Sequence, residues 1–310
     1  MEEFNINREY KDRMFKLVFR EKKDLLELYN AINSTHYTNE EDIEINTIED
    51  AIYMNMHNDI SYIITSVLNL YEQQSSFNPN MPIRGLIYFA SLYKKIIKDE
   101  TRLYSTSLIP LPIPQFIVFY NGTKEQPDNR ILKLTDSFSL PEWATDKNIE
   151  NVEDISALQC TARVVNINVG HNIKLMQSCK KLQDYSTFIG YVREYTEKYM
   201  NESKYMDGYE DASGAIKAAI NAAIDRCINE DVLRDILANQ RAEVLEIMFT
   251  EYDMEKHMKV VRRDGYDEGY DEGIAQIIIN ISKKGKTPDE ISNLTDTDIN
   301  LVNKILAHSN

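Results

Sequence analysis

Residues 60–74 read ISYIITSVLNLYEQQ, and this stretch decides the fold. Two apolar, β-branched runs, ISYIIT (60–65) and SVLNLYEQQ (66–74), follow one another closely enough to form a hairpin that turns near Ser66. Asp59 stands at the start of the first run. Glu72 and Gln74 stand near the end of the second. Side chains two apart on a strand share a face, so Glu72 and Gln74 point the same way. The hairpin would bring Asp59 opposite them. Two carboxylates and an amide oxygen converging beside a sheet edge suit a hard cation such as Mg²⁺. Acidic residues at strand ends are also commonly just solvated.

Working outward, residues 9–31 place Phe15, Val18, Phe19, Leu25, Leu26 and Leu28 at helical spacings, with a break expected near Arg20–Lys23. Ile43, Ile45, Ile48 and Ile52 suggest a strand over 43–53. Asn78–Pro82 has turn chemistry, and 83–98 is an amphipathic helix with Pro82 near its first turn. QFIVFY (115–120), ended by Asn121-Gly122, then ILKLT (131–135) and TARVVNIN (161–168), are further strands. Residues 172–200, 211–228 and 231–262 read as helix. The order predicts an α/β domain over 1–200 and an all-helical C-terminal extension over 201–310.

Composition bounds the function. The 310 residues hold 35 basic and 50 acidic side chains, a net charge of −15, and are 43% apolar, which suits a folded chain. No apolar run approaches the ~20 residues that span a bilayer. The N-terminus, MEEFNINREYKDRMFK, has no apolar signal core, so a soluble, cytoplasmic protein without membrane partners is expected. Three cysteines (Cys160, Cys179, Cys227) without CxxC spacing predict free thiols rather than zinc. Residues 1–200 carry 22 basic and 28 acidic groups and 201–310 carry 13 and 22. The charge therefore argues against a broad basic nucleic-acid surface.

Seven phrases carry a resemblance: DRMFKLVF (12–19), LLELYNAIN (25–33), NTIEDAIYM (46–54), NDISYII (58–64), LNLYEQQSSFNPNMPIRGLIYFASLY (68–93), FIVFYNGT (116–123) and NINVGHN (166–172). In this order they resemble the Rpn-type PD-(D/E)XK nucleases, the recombination-promoting nucleases often labelled transposases. The likeness covers about residues 10–200 and is looser beyond. It implies a restriction-endonuclease-like mixed sheet flanked by helices. It implies a DNA endonuclease, linked to recombination and mobile elements, that hydrolyses phosphodiester bonds with Mg²⁺, or with Mn²⁺ or Ca²⁺. The family's metal-binding Asp matches Asp59, and its E-x-Q matches Glu72-Gln73-Gln74. Asp59, Glu72 and the backbone carbonyl of Gln73 would hold the metal, and Gln74 would position the attacking water. The broader superfamily has Lys at the Gln74 position; glutamine can orient water but brings no charge. Lys16, Arg84, Lys94 and Lys95 are the candidate phosphate contacts. A non-catalytic DNA- or protein-binding assembly module is the alternative.

Other features have local readings. Glu49-Asp50 fits a solvated strand end better than an extra metal ligand. His171 is expected to bond locally. Arg20, Lys22 and Lys23, and Lys94, Lys95, Lys98 and Arg102, form short basic clusters. Gly265, Gly269 and Gly273 recur every four residues in DGYDEGYDEG, a stripe suited to close helix packing and homo-oligomerisation, with a flexible acidic linker as the alternative. Thr287-Pro288-Asp289-Glu290 is a helix start, and Thr295 or Asp296 is expected to open a second helix. That pair is too acidic for a major-groove reader.

Overall fold

The computed structural model describes residues 4–6, 10–45, 60–147, 149–203, 209–251 and 274–308. Asp59, Glu49-Asp50, most of the expected 43–53 strand and the glycine repeat over 264–273 lie outside the described residues. Contacts divide the chain into two units, 1–251 and 252–310.

The first unit opens with β1 (Phe4–Ile6), α1 (Tyr10–Val18) and α2 (Lys22–Asn33), the break between the helices falling where expected. The strand pair β3 (Ile60–Ile64) and β4 (Val67–Gln74) is the predicted hairpin. Its two-residue turn places Thr65 (φ 48°) and Ser66 (φ 67°) in the left-handed region, the conformation that matches strand twist. After α3 (Met81–Ile96) come β5 (Ile113–Tyr120), β6 (Asn129–Lys133), the short α4 (Glu142–Asp146) and β7 (Thr161–Asn166). With β2 (Glu44–Ile45) these strands build a six-stranded mixed sheet in the order β2-β3-β4-β5-β7-β6. The inner strands β4, β5 and β7 are parallel, and the outer pairings are antiparallel.

Alternation along the strands separates two faces. Leu68, Leu70, Phe116, Val118, Tyr120 and Val164 pack under α3 with Tyr88, Phe89 and Leu92. Tyr71, Ile117, Phe119 and Val165 face a larger core built by α1 and α2 together with α5 (Ile173–Ser178), α6 (Lys180–Ser203), α7 (Tyr209–Asn229), α8 (Arg234–Asn239) and α9 (Arg241–Met248). Phe15 joins helix to sheet, with its ring 5.1 Å from Phe119 and 5.4 Å from Tyr185. Helices thus lie on both faces of the mixed sheet.

Two expectations need correction. The first unit does not end near residue 200: α7 packs along α6 and buries Ile220, Ile224 and Cys227 in the same core. The region after 200 is also not all helix. β8 (Phe249–Glu251) follows α9 directly and pairs antiparallel with β1, so the helix expected to run through 231–262 stops at Met248.

The described part of the second unit is three helices: α10 (residues 274–282), α11 (Pro288–Thr295) and α12 (Ile299–His308). They close over Ile278, Ile291 and Val302. Thr287 and Glu290 form a reciprocal capping box, the Thr287 N–H donating to Glu290 Oε2 at 2.9 Å. Asp296 (φ 50°) ends α11 instead of opening α12. Asp298 takes that role, its Oδ1 accepting from the Asn300 N–H at 2.8 Å.

Candidate active site

The parallel strands β4, β5 and β7 end on one edge of the sheet, the position where open α/β sheets hold their ligands. Glu72 is the second-last even position of β4, on the α3 face. The apolar run Leu68, Leu70 gives way to Glu72 and Gln74 there, although their strand partners Val118 and Tyr120 still belong to the core under α3. Glu72 is only 1% exposed. Its Oε2 accepts from Arg84 Nη2 of α3 at 2.9 Å and from Gln74 Nε2 at 3.4 Å. The same Arg84 nitrogen donates to the Tyr88 hydroxyl at 2.9 Å. Glu72 Oε1 is buried and has no hydrogen-bond partner among the described residues.

Burial pushes the Glu72 carboxyl above the ordinary carboxylate range, to about 7. Arg84 opposes that rise, the charge of Asp12 adds to it, and Lys16 and a hydrogen bond with Tyr88 oppose it. Asp12 and Lys16 stand one turn apart on α1 and pair at 3.1 Å, and Asp12 Oδ1 is a second buried oxygen without a partner among the described residues. Asp12 was not a candidate from sequence. Its signal was an i,i+4 acid–base pair with Lys16 on a helix whose other face is apolar.

The remaining candidates sort by place. Glu72, Gln74, Arg84 and Lys16 come together at this edge. The Gln73 side chain lies on the opposite face of β4 and is buried. Lys94 and Lys95 sit in the last turn of α3, about 15 Å along the helix from Arg84, and Lys94 faces Glu100 at 3.7 Å. Arg20 meets Glu21 and Glu243, and Lys22 meets Glu41. His171 Nδ1 shares a hydrogen bond with Asp128 at 2.7 Å, while Asn172 Nδ2 donates to the carbonyls of Asp128 and Asn166. NINVGHN therefore ties the end of β7 to the loop before β6.

A hard divalent cation fits Glu72 in one respect: a buried carboxylate oxygen is left without a donor, whereas such groups are normally satisfied. Among the described residues no cluster of three or more His, Cys, Asp or Glu side chains is placed to hold a metal. The edge thus offers one open carboxylate oxygen, an amide beside it and cations from α1 and α3. No described helix is long and apolar enough to cross a membrane. No protein-family model, curated protein or solved structure matches this chain.

Proposed function

We propose that the chain is a divalent-metal-dependent DNA endonuclease of the Rpn-like type that its sequence phrases resemble. The observation that carries this reading is Glu72, which is buried at the C-terminal end of β4 with one carboxylate oxygen unpartnered among the described residues. Two further facts support it. Ile60, the residue after Asp59 in sequence, pairs with Tyr71, the residue before Glu72. Gln74 already reaches the Glu72 carboxylate. In this reading Asp59, Glu72 and the Gln73 carbonyl would hold Mg²⁺. A bound Mg²⁺ supplies Lewis acidity toward the phosphate and hydroxide near neutral pH. Gln74 orients water through its amide. Arg84 keeps Glu72 in place, and Lys16 adds positive charge toward the substrate. Because the Glu72 proton is held up to about pH 7, loading with metal releases a proton and improves as pH rises.

The decisive assay is nicking of supercoiled plasmid with Mg²⁺, Mn²⁺ or Ca²⁺, comparing the unaltered chain with Asp59→Ala. Loss of cutting in a folded Asp59→Ala protein is the expected result. Equal rates would refute the assignment.

One observation favours the alternative, a non-catalytic DNA- or protein-binding assembly module. Arg84 already occupies Glu72 Oε2, as a purely structural ion pair would. That reading predicts no cutting with any of the three metals.

A further inference from the structure

Beyond Glu72, the same sheet edge carries a second charged cluster on the opposite face. Lys11, in the first turn of α1, and Arg193, on α6, both reach Asn121, the residue after β5. Lys11 Nζ donates to the Asn121 carbonyl at 3.1 Å. Arg193 Nη2 donates to that same carbonyl oxygen and to the Asn121 side-chain oxygen, and Arg193 Nη1 donates to Asn168 Oδ1 at 2.9 Å. Two cations thus converge on one peptide oxygen.

Among the described residues the partners of both cations are neutral. Among the described residues no carboxylate is paired or hydrogen-bonded to Lys11 or Arg193. Of the acids beside them in sequence, Asp12 gives one carboxylate oxygen to Lys16, and Glu194 pairs with Arg226. The N-terminal end of α1 adds its own partial positive charge at Lys11. Two adjacent, partly desolvated cations repel one another unless an anion joins them. In a chain of net charge −15 with 50 acidic side chains, a pair of cations whose partners among the described residues are all neutral is suited to an external anion.

The frame around the pair is rigid. The Asn121 N–H donates to the Gln74 carbonyl at 2.9 Å, which links the cluster to the strand that carries Glu72. Asn168 Nδ2 donates to the Gly122 carbonyl at 3.1 Å. Gly122 admits no larger residue, because a Cβ there would run into the Tyr120 hydroxyl and the Ser75 carbonyl. The Tyr185 hydroxyl donates to the Lys11 carbonyl at 2.9 Å and fixes the start of α1. Lys11 spends one of its three donors on Asn121, and Arg193 keeps N–H groups beyond the three it uses. Both side chains remain partly accessible to solvent.

We propose that Lys11 and Arg193 form a binding subsite for a phosphate-type oxyanion, seated beside the strand end that carries Glu72. The inference deepens the nuclease reading by giving a phosphodiester a place to dock, but the geometry of the subsite does not require that Glu72 be catalytic. Burial and the Arg193 charge lower the Lys11 ammonium to about 7, which an incoming anion would reverse. Lys11 also lies over the Tyr10 ring and next to Asp12 in sequence, and Arg193 faces the phenols Tyr10, Tyr120 and Tyr185, of which burial pushes Tyr10 and Tyr120 upward.

The test is thermal stabilisation of the full chain in EDTA by inorganic phosphate and by sulfate, against chloride at equal ionic strength. Four proteins are compared: the unaltered chain, Lys11→Met, Arg193→Met and Glu72→Gln. The expected result is dose-dependent stabilisation whose apparent affinity falls about tenfold in Lys11→Met, the scale of one charge-assisted hydrogen bond, and is unchanged in Glu72→Gln. Sulfate keeps its charge across pH 6–9, so its affinity should fall as pH rises through 7 in the unaltered chain and stay flat in Lys11→Met. Should Arg193→Met fail to fold, Lys11→Met decides alone, since methionine keeps the length of the side chain. A short oligonucleotide that competes with phosphate identifies a nucleic-acid backbone as the source; failure to compete identifies a small phosphate compound. No stabilisation of the unaltered chain, or equal stabilisation of Lys11→Met, overturns the subsite. Loss of plasmid nicking with intact phosphate binding would instead remove only the nuclease reading.

Discussion

Strands β4 and β5 carry polar groups at both ends, and the two ends are built differently. At the end where Val67 pairs with Ile113 the groups are neutral, and most of them answer one another, with Asn69 Oδ1 the exception among the described residues. Gln115 Nε2 donates to Asn33 Oδ1 at 2.7 Å, Asn33 Nδ2 returns toward Gln115 Oε1 at 3.4 Å, and the Tyr93 hydroxyl donates to the Pro112 carbonyl at 2.8 Å. At the end that carries Glu72 and Asn121 the groups are charged and do not close on themselves. Glu72 Oε1 and Asp12 Oδ1 lack partners among the described residues, and Lys11 and Arg193 have no acid there. A neutral, mostly paired set holds a fold together. An open charged set costs stability, so its retention points to something the chain binds.

The largest expected effect breaks the comparison if it fails. Asp59→Ala or Glu72→Ala should lower plasmid nicking by at least about a hundredfold, more than the loss of an outer-shell partner of a metal site. Gln115→Leu, at the neutral end, should leave nicking within about twofold. Parity between the two ends in that assay would show that the charged end is not the working one.

The next effect is on stability. Burial raises the Glu72 pKa in the folded state to about 7, above its unfolded value, so the folded protein holds that proton more tightly. The associated stability is complete below the unfolded carboxylate pKa and is lost as pH rises through about 7. Metal-free Glu72→Gln should therefore match the unaltered chain near pH 4 and exceed it by about 2–3 kcal/mol at pH 9. Denaturant melts at the two pH values check this, and a pH-independent difference would mean that Arg84 fully stabilises the ionised form.

Smaller effects mark the closed end and the second unit. Gln115→Leu should cost about 1–2 kcal/mol, because Asn33 Oδ1 loses its donor, with no dependence on pH. Thr287→Ala removes one half of a capping box and should cost about 1 kcal/mol. Hydrogen exchange should report the second loss in residues 274–308 while nicking is unchanged.

Much of this was legible locally. The hairpin followed from two β-branched runs, and the two helices at the N-terminus from periodicity with a charged break at Arg20–Lys23. The Thr287 helix start followed from capping chemistry. What was hidden depends on distant pairing. β8 follows α9 without a break signal and is a strand because Phe4–Ile6 lies beside it. Asp298 replaced Asp296 as the cap because Asp296 is used to end α11. Asp12 is a first-turn acid by local rules, and only the fold brings its charge to bear on Glu72.

By itself the sequence determined the alternation that makes each strand two-faced, the spacing that puts Glu72 and Gln74 on one side, and the helix that covers them. These are short-range matters of side-chain period and capping. Only the tertiary structure decided which charges meet. Lys11, Asn121 and Arg193 come from α1, β5 and α6, and Glu72 and Arg84 from β4 and α3. No local rule pairs them. Parallel strands ending on one edge bring these elements together, and burial there raises a carboxyl and lowers an ammonium that in water would be ordinary.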